Sequence, residues 1–384
     1  MDDLIAGLCP SGVPYAPIGD VIRLKFGSRI TKMKDSGTTY PVYGGGGESF
    51  RTDIYNREDD YVISRFAMSE TCVRRVRGKF WMLDSGFTFD PLDSSVDKDF
   101  VACLLFNIQA TIYRCSSQGA QKNLKTDEFR KIRVPVPPIE VQREIVEVLD
   151  LFAALEAELE AELEARRRQY VHYLDRLLSF RDAPEVQWAP MGELGEFIRG
   201  RRFTKEDIVS DGLPAIHYGE IYTHYGTSAE ETLSHVRSDL QAQLRFARHR
   251  DVVIAAVGET VEDVGKAVAW LGSADVAIHD DCFLFRHELN PKYVAYCLQT
   301  TALTYDKAKH VSRAKVKRMS GDGLSKLVIP VPSLEEQARI VGILDKFDAL
   351  VNDLSVGLPA ELKARRQQYE YYRDRLLTFE ELAA

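Results

Sequence analysis

Apolar side chains recur at three- and four-residue spacing from Ile145 through Val148, Phe152, Leu155, Leu159 and Leu163, continuing at Tyr170, Leu174 and Leu177. Charged residues fill the positions between. That period places the apolar set on one stripe of a helix, and a stripe sustained over so many turns is a coiled-coil seam. At 1.5 Å per residue, a helix over 139–180 is about 60 Å long, well beyond an ordinary domain helix. The pattern returns with Ile340, Ile343, Phe347, Leu350, Leu354 and Leu362, then Tyr369, Tyr372 and Leu376. The two seams can bury each other. Their central positions are Ile145, Leu149, Phe152 and Leu159 in the first helix and Ile340, Leu344, Phe347 and Leu354 in the second.

The helices belong to a longer repeat. KIRVPVPPIEVQREIVEVLD at 131–150 and KLVIPVPSLEEQARIVGILD at 326–345 share half of their residues at an offset of 195. Prolines leave the residues before each helix extended and so fix where it starts. VPYAPIGDVIRLKFGSRITK at 13–32 returns as VQWAPMGELGEFIRGRRFTK at 186–205, at an offset of 173. Tyrosine-bearing, Gly-containing turns follow in both copies, YPVYGGGG at 40–47 and LPAIHYGE at 213–220. The short apolar runs DDYVISRF at 59–66 and RDVVIAAV at 250–257 read as buried strands, and KDFVACLL at 98–105 and PKYVAYCL at 291–298 as helices. Each unit is mixed α and β, and its middle diverges from that of the other copy.

The predicted order is globular unit, long helix, globular unit, long helix, with boundaries at 1–137, 138–181, 182–332 and 333–384. Antiparallel pairing of the helices would carry the units to opposite ends about an approximate two-fold axis. Phe152 and Phe180 are 28 positions apart and Phe347 and Phe379 are 32, so the second helix is longer by four residues. Gly357 and Pro359 fall in the added stretch and predict a kink or short interruption. A rigid spacer between two reading heads suits two separated DNA half-sites, and heads with different middles imply half-sites of different sequence.

The formal net charge of −8 argues against a nucleic-acid binder until its distribution is read. Alternating glutamates from Glu156 to Glu164, followed by Arg166, Arg167 and Arg168, form a charged helix face that reads as solvated surface. The units themselves carry basic clusters: Arg74, Arg75, Arg77 and Lys79; Lys122 and Lys125; Arg199, Arg201 and Arg202; and DKAKHVSRAKVKR at 306–318, with Lys315 and Lys317. These are candidates for phosphate contacts, whose affinity comes from counterion release and carries no sequence information. Lys122 and Lys317 recur at corresponding places. Base reading needs other side chains beside turns that approach a groove, which points to Tyr43, Gly45, Gln121, His217 and Tyr218.

These stretches, with the helix ends RRRQYVHYLDRLLSF and RRQQYEYYRDRLLTF and the segment KFWMLDSGFTF, resemble the specificity subunit of bacterial type I restriction-modification enzymes over essentially the whole chain. The resemblance implies an α+β protein with two tandem mixed α/β target recognition domains, each reading half of a bipartite double-stranded DNA site, separated by two long helices in an antiparallel coiled coil. It further implies two adenine-N6 methyltransferase subunits docked on the helices, and restriction subunits that translocate and cleave DNA. The cofactors S-adenosylmethionine, ATP and Mg would then belong to those partners, with none bound by this chain.

Catalytic signatures are weak. GGGG at 44–47 lacks the G-K-[ST] of a phosphate loop. NPKY at 290–293 lacks the second proline of an adenine methyltransferase loop, and Pro291 is better placed as a helix opener. HDDC at 279–282 offers metal-type ligands, but MLDSGF stands at the matching place in the first copy, so a turn or strand end is expected. The six cysteines are scattered without a C-x-x-C pair, which excludes a disulfide framework or zinc site. The first residues lack the basic and apolar regions of a secretory signal, and no apolar run is long enough to span a membrane, so a cytoplasmic location is expected. The leading reading is a non-catalytic DNA-reading scaffold. The alternatives are a nuclease or methyltransferase with an unrecognised site, and a protein-binding coiled-coil adaptor.

Overall fold

The computed structural model describes residues 7–119, 121–181, 183–312, 315–353 and 355–382. The chain divides into two compact units, unit 1 comprising Met1–Glu158 with Ala364–Ala384, and unit 2 comprising Leu159–Lys363. The fold is α+β, with the two mixed domains and the long helices that the sequence predicts.

Unit 1 opens with β1 (Tyr15–Pro17), followed by β2 (Ile22–Phe26), β3 (Tyr40–Gly44), β4 (Gly47–Thr52), β5 (Arg57–Ser64), β6 (Val73–Met82) and β7 (Gly86–Pro91). A six-stranded sheet has the order β2-β7-β5-β6-β3-β4, antiparallel except where β3 runs beside the end of β6, with Val42 opposite Trp81 and Tyr43 opposite Met82. Helix α1 (Lys98–Asn107) follows, then β8 (Arg133–Pro135), which closes the domain by pairing with β1. The core gathers Phe87, Phe89, Phe100, Leu105, Phe129 and Ile112, all inaccessible or nearly so.

Unit 2 repeats this plan with β9 (Gln187–Pro190), β10 (Gly195–Arg199), β11 (Leu213–Ile216), β12 (Val252–Ala255), β13 (Ala267–Trp270), β14 (Val276–Ile278), β15 (Cys282–His287), helix α3 (Pro291–Cys297) and β16 (Val328–Val331). Helix α2 (Ile139–Leu178) precedes β9 in the chain. Strand β16 pairs with β9 as β8 does with β1. The single long strand β6 has its counterpart in two pieces, β13 and β14. They belong to separate five-stranded sheets: β10-β15-β12-β13 with Ser228–Ala229, and Ile208–Val209, Ser234–Val236, β11, β14 and Phe246–Ala247. This split is the structural form of the divergence in the middle of the repeat.

Helix α2 is one unbroken element, Ile139–Leu178, of 40 residues. Its first apolar turns serve its own domain, since Val141, Ile145 and Leu149 join the core of unit 1 with Phe100 and Val101. Within unit 1, Phe152 then stacks on Tyr372 with ring centroids 5.4 Å apart, and Glu156 pairs with Arg366 at 2.6 Å. As one number rises the other falls, so the paired segments are antiparallel. The expected solvated face thus has at least one cross-helix ion pair, of a kind that contributes roughly 0–1 kcal/mol when exposed. Within unit 2, Leu163, Tyr170, Leu174 and Leu178 are buried, Leu159 is partly so, and Tyr173 stacks on Phe347 at 5.1 Å. Leu155, in the same periodic run, is 39% exposed.

The second helical segment is α4 (Leu334–Asn352) and α5 (Leu358–Leu376), and the interruption expected near Gly357 lies between them. Asp353 accepts hydrogen bonds from the Ser355 and Val356 amides, a side-chain turn that competes with helix. A Cβ at Gly357 would come within 2.4 Å of the Ala349 carbonyl, so glycine permits the chain to double against the end of α4. Ile340 and Leu344 are buried in unit 2 and Phe347 is partly buried, while Leu354 lies outside the described residues. Among the described residues, no helix is long and apolar enough to cross a membrane.

A buried glutamine joins helix to domain in each unit. Gln142 Oε1 accepts the Asp97 amide at 2.7 Å, and its Nε2 donates to the Pro137 and Ser95 carbonyls. Asp97 in turn caps α1 by accepting from the Asp99 and Phe100 amides. Gln337, 195 positions on, accepts from the Asn290 amide and donates to the Pro332 carbonyl, and Asn290 caps α3. Replacing Gln142 with Leu takes this partner from the buried Pro137 carbonyl, from the part-buried Asp97 amide and from the Ser95 carbonyl. The expected loss is about 2–4 kcal/mol of unit 1 stability, read as faster hydrogen exchange at the Phe100 and Val101 amides, while the amides of α3 keep wild-type protection. Unchanged protection in α1 would refute the role assigned to the glutamine.

Candidate nucleic-acid interface

Four loops follow the C-terminal ends of β2, β3, β5 and β6 in unit 1, and hydrogen bonds tie them together. The Gly27 amide donates to the Gly86 carbonyl and the Ser28 amide to the Met82 carbonyl. A Cβ at Gly27 would lie 2.1 Å from the Leu83 carbonyl oxygen, so the close approach requires glycine. The Leu83 amide donates to Tyr43, the Gly45 amide to Ser85 Oγ, and the Arg65 amide to the Ser85 carbonyl at 2.9 Å. A fifth loop, 117–123, closes on itself through the Ser117 amide to the Asn123 carbonyl and the Asn123 amide back to Ser117 Oγ. The Met68 amide bonds the Lys122 carbonyl, and the Leu124 amide the Arg65 carbonyl.

Unit 2 builds the same cluster after β10, β11, β12 and β14. The Gly200 amide donates to the Cys282 carbonyl, the Arg201 amide to Ile278, the His279 amide to Ile216 and the Ala256 amide to Asp281. A Cβ at Gly200 would lie 2.1 Å from the His279 carbonyl oxygen. Loop 312–318 is closed by the same two bonds between its ends as loop 117–123, the Ser312 amide to the Arg318 carbonyl and the Arg318 amide to Ser312 Oγ. Lys122 and Lys317 therefore occupy matching backbone positions.

Most of the sequence-predicted residues fall on or beside these loops. In unit 1, Gln121 and Lys125 are exposed and Lys122 is half-buried. Tyr43 packs edge-on against Phe80 at 5.6 Å. Gly45 is buried; its carbonyl accepts from Ser64 Oγ and from the Arg74 guanidinium, which also donates to Ser64 Oγ. Arg74 is thereby a brace, and burial pulls its pKa below the ordinary arginine value. Arg75 is exposed, with its guanidinium 5.6 Å over Tyr61. In unit 2, Arg201, Arg202 and Lys315 are exposed and Lys317 is half-buried.

His217 and Tyr218 join Phe203 and His279 in an aromatic cluster, with the two histidine rings 4.5 Å apart. Burial, aided by His279, lowers the His217 pKa from its ordinary value, and its Nδ1 accepts the Gly219 amide as a helix cap. The candidate ligands His279, Asp280 and Asp281 form a turn, as expected. Their donor atoms lie within 4.8 Å of one another, but His279 Nδ1 accepts the Asp281 amide, Nε2 faces Asp280 at 3.3 Å, and Asp281 pairs with Arg318 at 2.9 Å. Both ring nitrogens and one carboxylate are already engaged, which suits a braced turn better than a metal. Pro291 stands at the start of α3, with Asn290 as its cap.

The family model described as type I restriction modification DNA specificity domain matches residues 10–165 and again 185–364. The chain belongs to this family. Among curated relatives of this type I specificity chain, the EcoR124I/EcoR124II specificity subunit of Escherichia coli is 30% identical over 68% of this chain and 67% of its own length. A specificity subunit of Haemophilus influenzae carrying a provisional designation is 27% identical over 96% of both chains. In solved structures the fold recurs in the type I S subunit of M. genitalium, with a TM-score of 0.61, 16% identity and coverage of 95% of this chain and 96% of that one. It recurs also in a chain from work on assembly and conformational transition of a type I system, with a TM-score of 0.63, 16% identity and coverage of 96% and 98%.

The specificity chain also holds one cation outside the basic clusters read from the sequence, Arg65. Arg65 lies with its guanidinium 5.2 Å over Phe26 and 4.8 Å over Phe66. Arg318 and Arg199 border a cleft of about 610 Å³ with Lys309 and His310. The last four belong to the basic clusters read from the sequence; the only signal for Arg65 was its position directly after the end of β5. The glycine contacts give a direct check of the loop cluster. Gly200→Ala is expected to displace the turn 279–281 and cost unit 2 about 1–3 kcal/mol, read by denaturation together with altered amide resonances at Arg201 and Ala256. A variant with wild-type stability and spectra would contradict the close approach.

Proposed function

We propose that each unit of this DNA-specificity subunit reads one half of an asymmetric, bipartite double-stranded DNA site through its loop cluster, and that the helices hold the two readers at a fixed spacing while docking two methyltransferase subunits. The observation that carries the reading is a shared pair of loop-closing hydrogen bonds on loops of unlike sequence. Loops 117–123 and 312–318 share their hydrogen bonds, yet one is SQGAQKN and the other SRAKVKR. A fixed frame sets how a domain approaches the duplex, and variable side chains on it set which base edges are read.

Basic side chains at these loops supply the sequence-independent part of binding despite the negative total charge. A run of five alternating glutamates, Glu156 to Glu164, lies away from these loops, on the middle turns of α2. In this reading the chain performs no chemistry of its own. Adenine methylation with S-adenosylmethionine, and ATP- and Mg-dependent translocation and cleavage, belong to the modification and restriction subunits that assemble with it.

Two measurements test the proposal. Affinity of the assembled complex for duplex DNA should fall by about 10³-fold or more between roughly 50 and 200 mM salt; a flat salt response favours the protein-binding adaptor. Exchanging residues 186–325 for the equivalent stretch of a relative, then mapping methylated adenines after co-expression with the methyltransferase, should change one half of the motif and leave the other intact. Change in both halves would sink the modular reading.

A further inference from the structure

Three arginines, Arg57 on β5, Arg74 on β6 and Arg65 on the loop between these strands, differ in what their donors touch. Arg57 directs Nε to Thr88 Oγ1 and its terminal nitrogens to the carbonyls of Asn56, Lys25 and Phe26. Arg74 donates to the Gly45 carbonyl and Ser64 Oγ. Both are committed to bracing the fold. Arg65 is different: among the described residues its guanidinium makes no hydrogen bond or ion pair, and lies over the rings of Phe26 and Phe66 at 5.2 and 4.8 Å.

The backbone of Arg65 is held from two sides, its amide by the Ser85 carbonyl at 2.9 Å and its carbonyl by the Leu124 amide at 2.8 Å. Two aromatic faces restrict the side chain further, through attraction between the cation and the negative ring faces. The consequence is a half-buried guanidinium, fixed in place, whose N–H fork remains available. Guanine presents two acceptors, O6 and N7, in the major groove at the spacing this planar fork matches.

The second unit shows that the position varies independently of the frame. Ala256 stands at the same backbone node, with its amide bonded to the Asp281 carbonyl and its carbonyl to the Met319 amide. Arg199 stands where unit 1 has Phe26, and its Nε is occupied by the Asp280 carbonyl. Resting on the DNA-reading function above, we infer that Arg65 is a specificity-determining residue of unit 1 that reads a guanine, and that the half-site of unit 2 carries no equivalent contact from this node.

The test is selection of bound duplexes from a randomised library by the full chain in complex with its methyltransferase subunits, comparing wild type with Arg65→Lys and Arg65→Ala. The lysine variant keeps the charge and the stem, so it remains informative if the alanine variant folds poorly. Wild type is expected to enrich a split motif containing a G·C pair in the half that exchange of unit 2 leaves unchanged. Both variants should relax that one position by about 10- to 100-fold and retain the rest of the motif. Weaker binding with every position still selected would make Arg65 a phosphate contact and overturn the inference. So would a wild-type motif with no guanine in that half. If wild type enriches no sequence at all, the inference falls together with the DNA-reading function.

Discussion

Burying one amide side chain at the start of each long helix sets the terms for everything around it. Gln142 lies where the V-P-V-P strand turns into α2, a junction whose proline carbonyl and whose neighbouring helix cap would otherwise lose water without gaining partners. An unmet polar group of this kind is costly. The glutamine satisfies both at once, so α2 can leave its domain only in register with α1. Gln337 imposes the same register on α4 and α3. Apolar packing of Ile145 and Leu149, or of Ile340 and Leu344, supplies the larger share of the burial, but hydrophobic contact is non-directional. Direction comes from the amide.

Away from that junction the two units spend their freedom differently. Unit 1 runs β6 as a single strand of ten residues, whereas unit 2 breaks the equivalent path at 271–275 and builds a second sheet around β11 and β14. Yet β3 beside β6 and β11 beside β14 keep the same parallel pairing, and the turns at 83–85 and 279–281 keep the same bonds to the glycines opposite. Sheet construction can therefore change without moving the loops. The loop frame is thus kept while the sheets behind it and the side chains upon it differ.

The duplicated stretches were legible because their constraints are local: prolines end strands, apolar spacing marks the helices, and Gly357 with its neighbours marks the break between α4 and α5. DDYVISRF and RDVVIAAV read correctly as strands since four or more consecutive positions are buried in each. The parallel pairing of β3 with β6 was not legible, because it joins residues about 40 positions apart through a register that side-chain pattern does not encode. Arg65 was missed for a related reason. Its distinction lies in two rings and two carbonyl or amide partners, some of them distant in sequence, whereas Arg74 looked equivalent on paper and proves to be a brace.

The contacts of residues 379–381 bear on how the molecule is made. The Val13 amide bonds the Glu380 carbonyl, Tyr15 donates to the Phe379 carbonyl and Arg133 pairs with Glu381, all within unit 1. Every residue of unit 2 precedes those partners in the sequence. During synthesis, unit 1 must wait for the stretch after Lys363, whereas unit 2 already has all its parts when Lys363 is made. The order of completion is the reverse of the order of translation, and the early domain spends that interval with its first strand incompletely covered, the state in which nascent chains depend on chaperones.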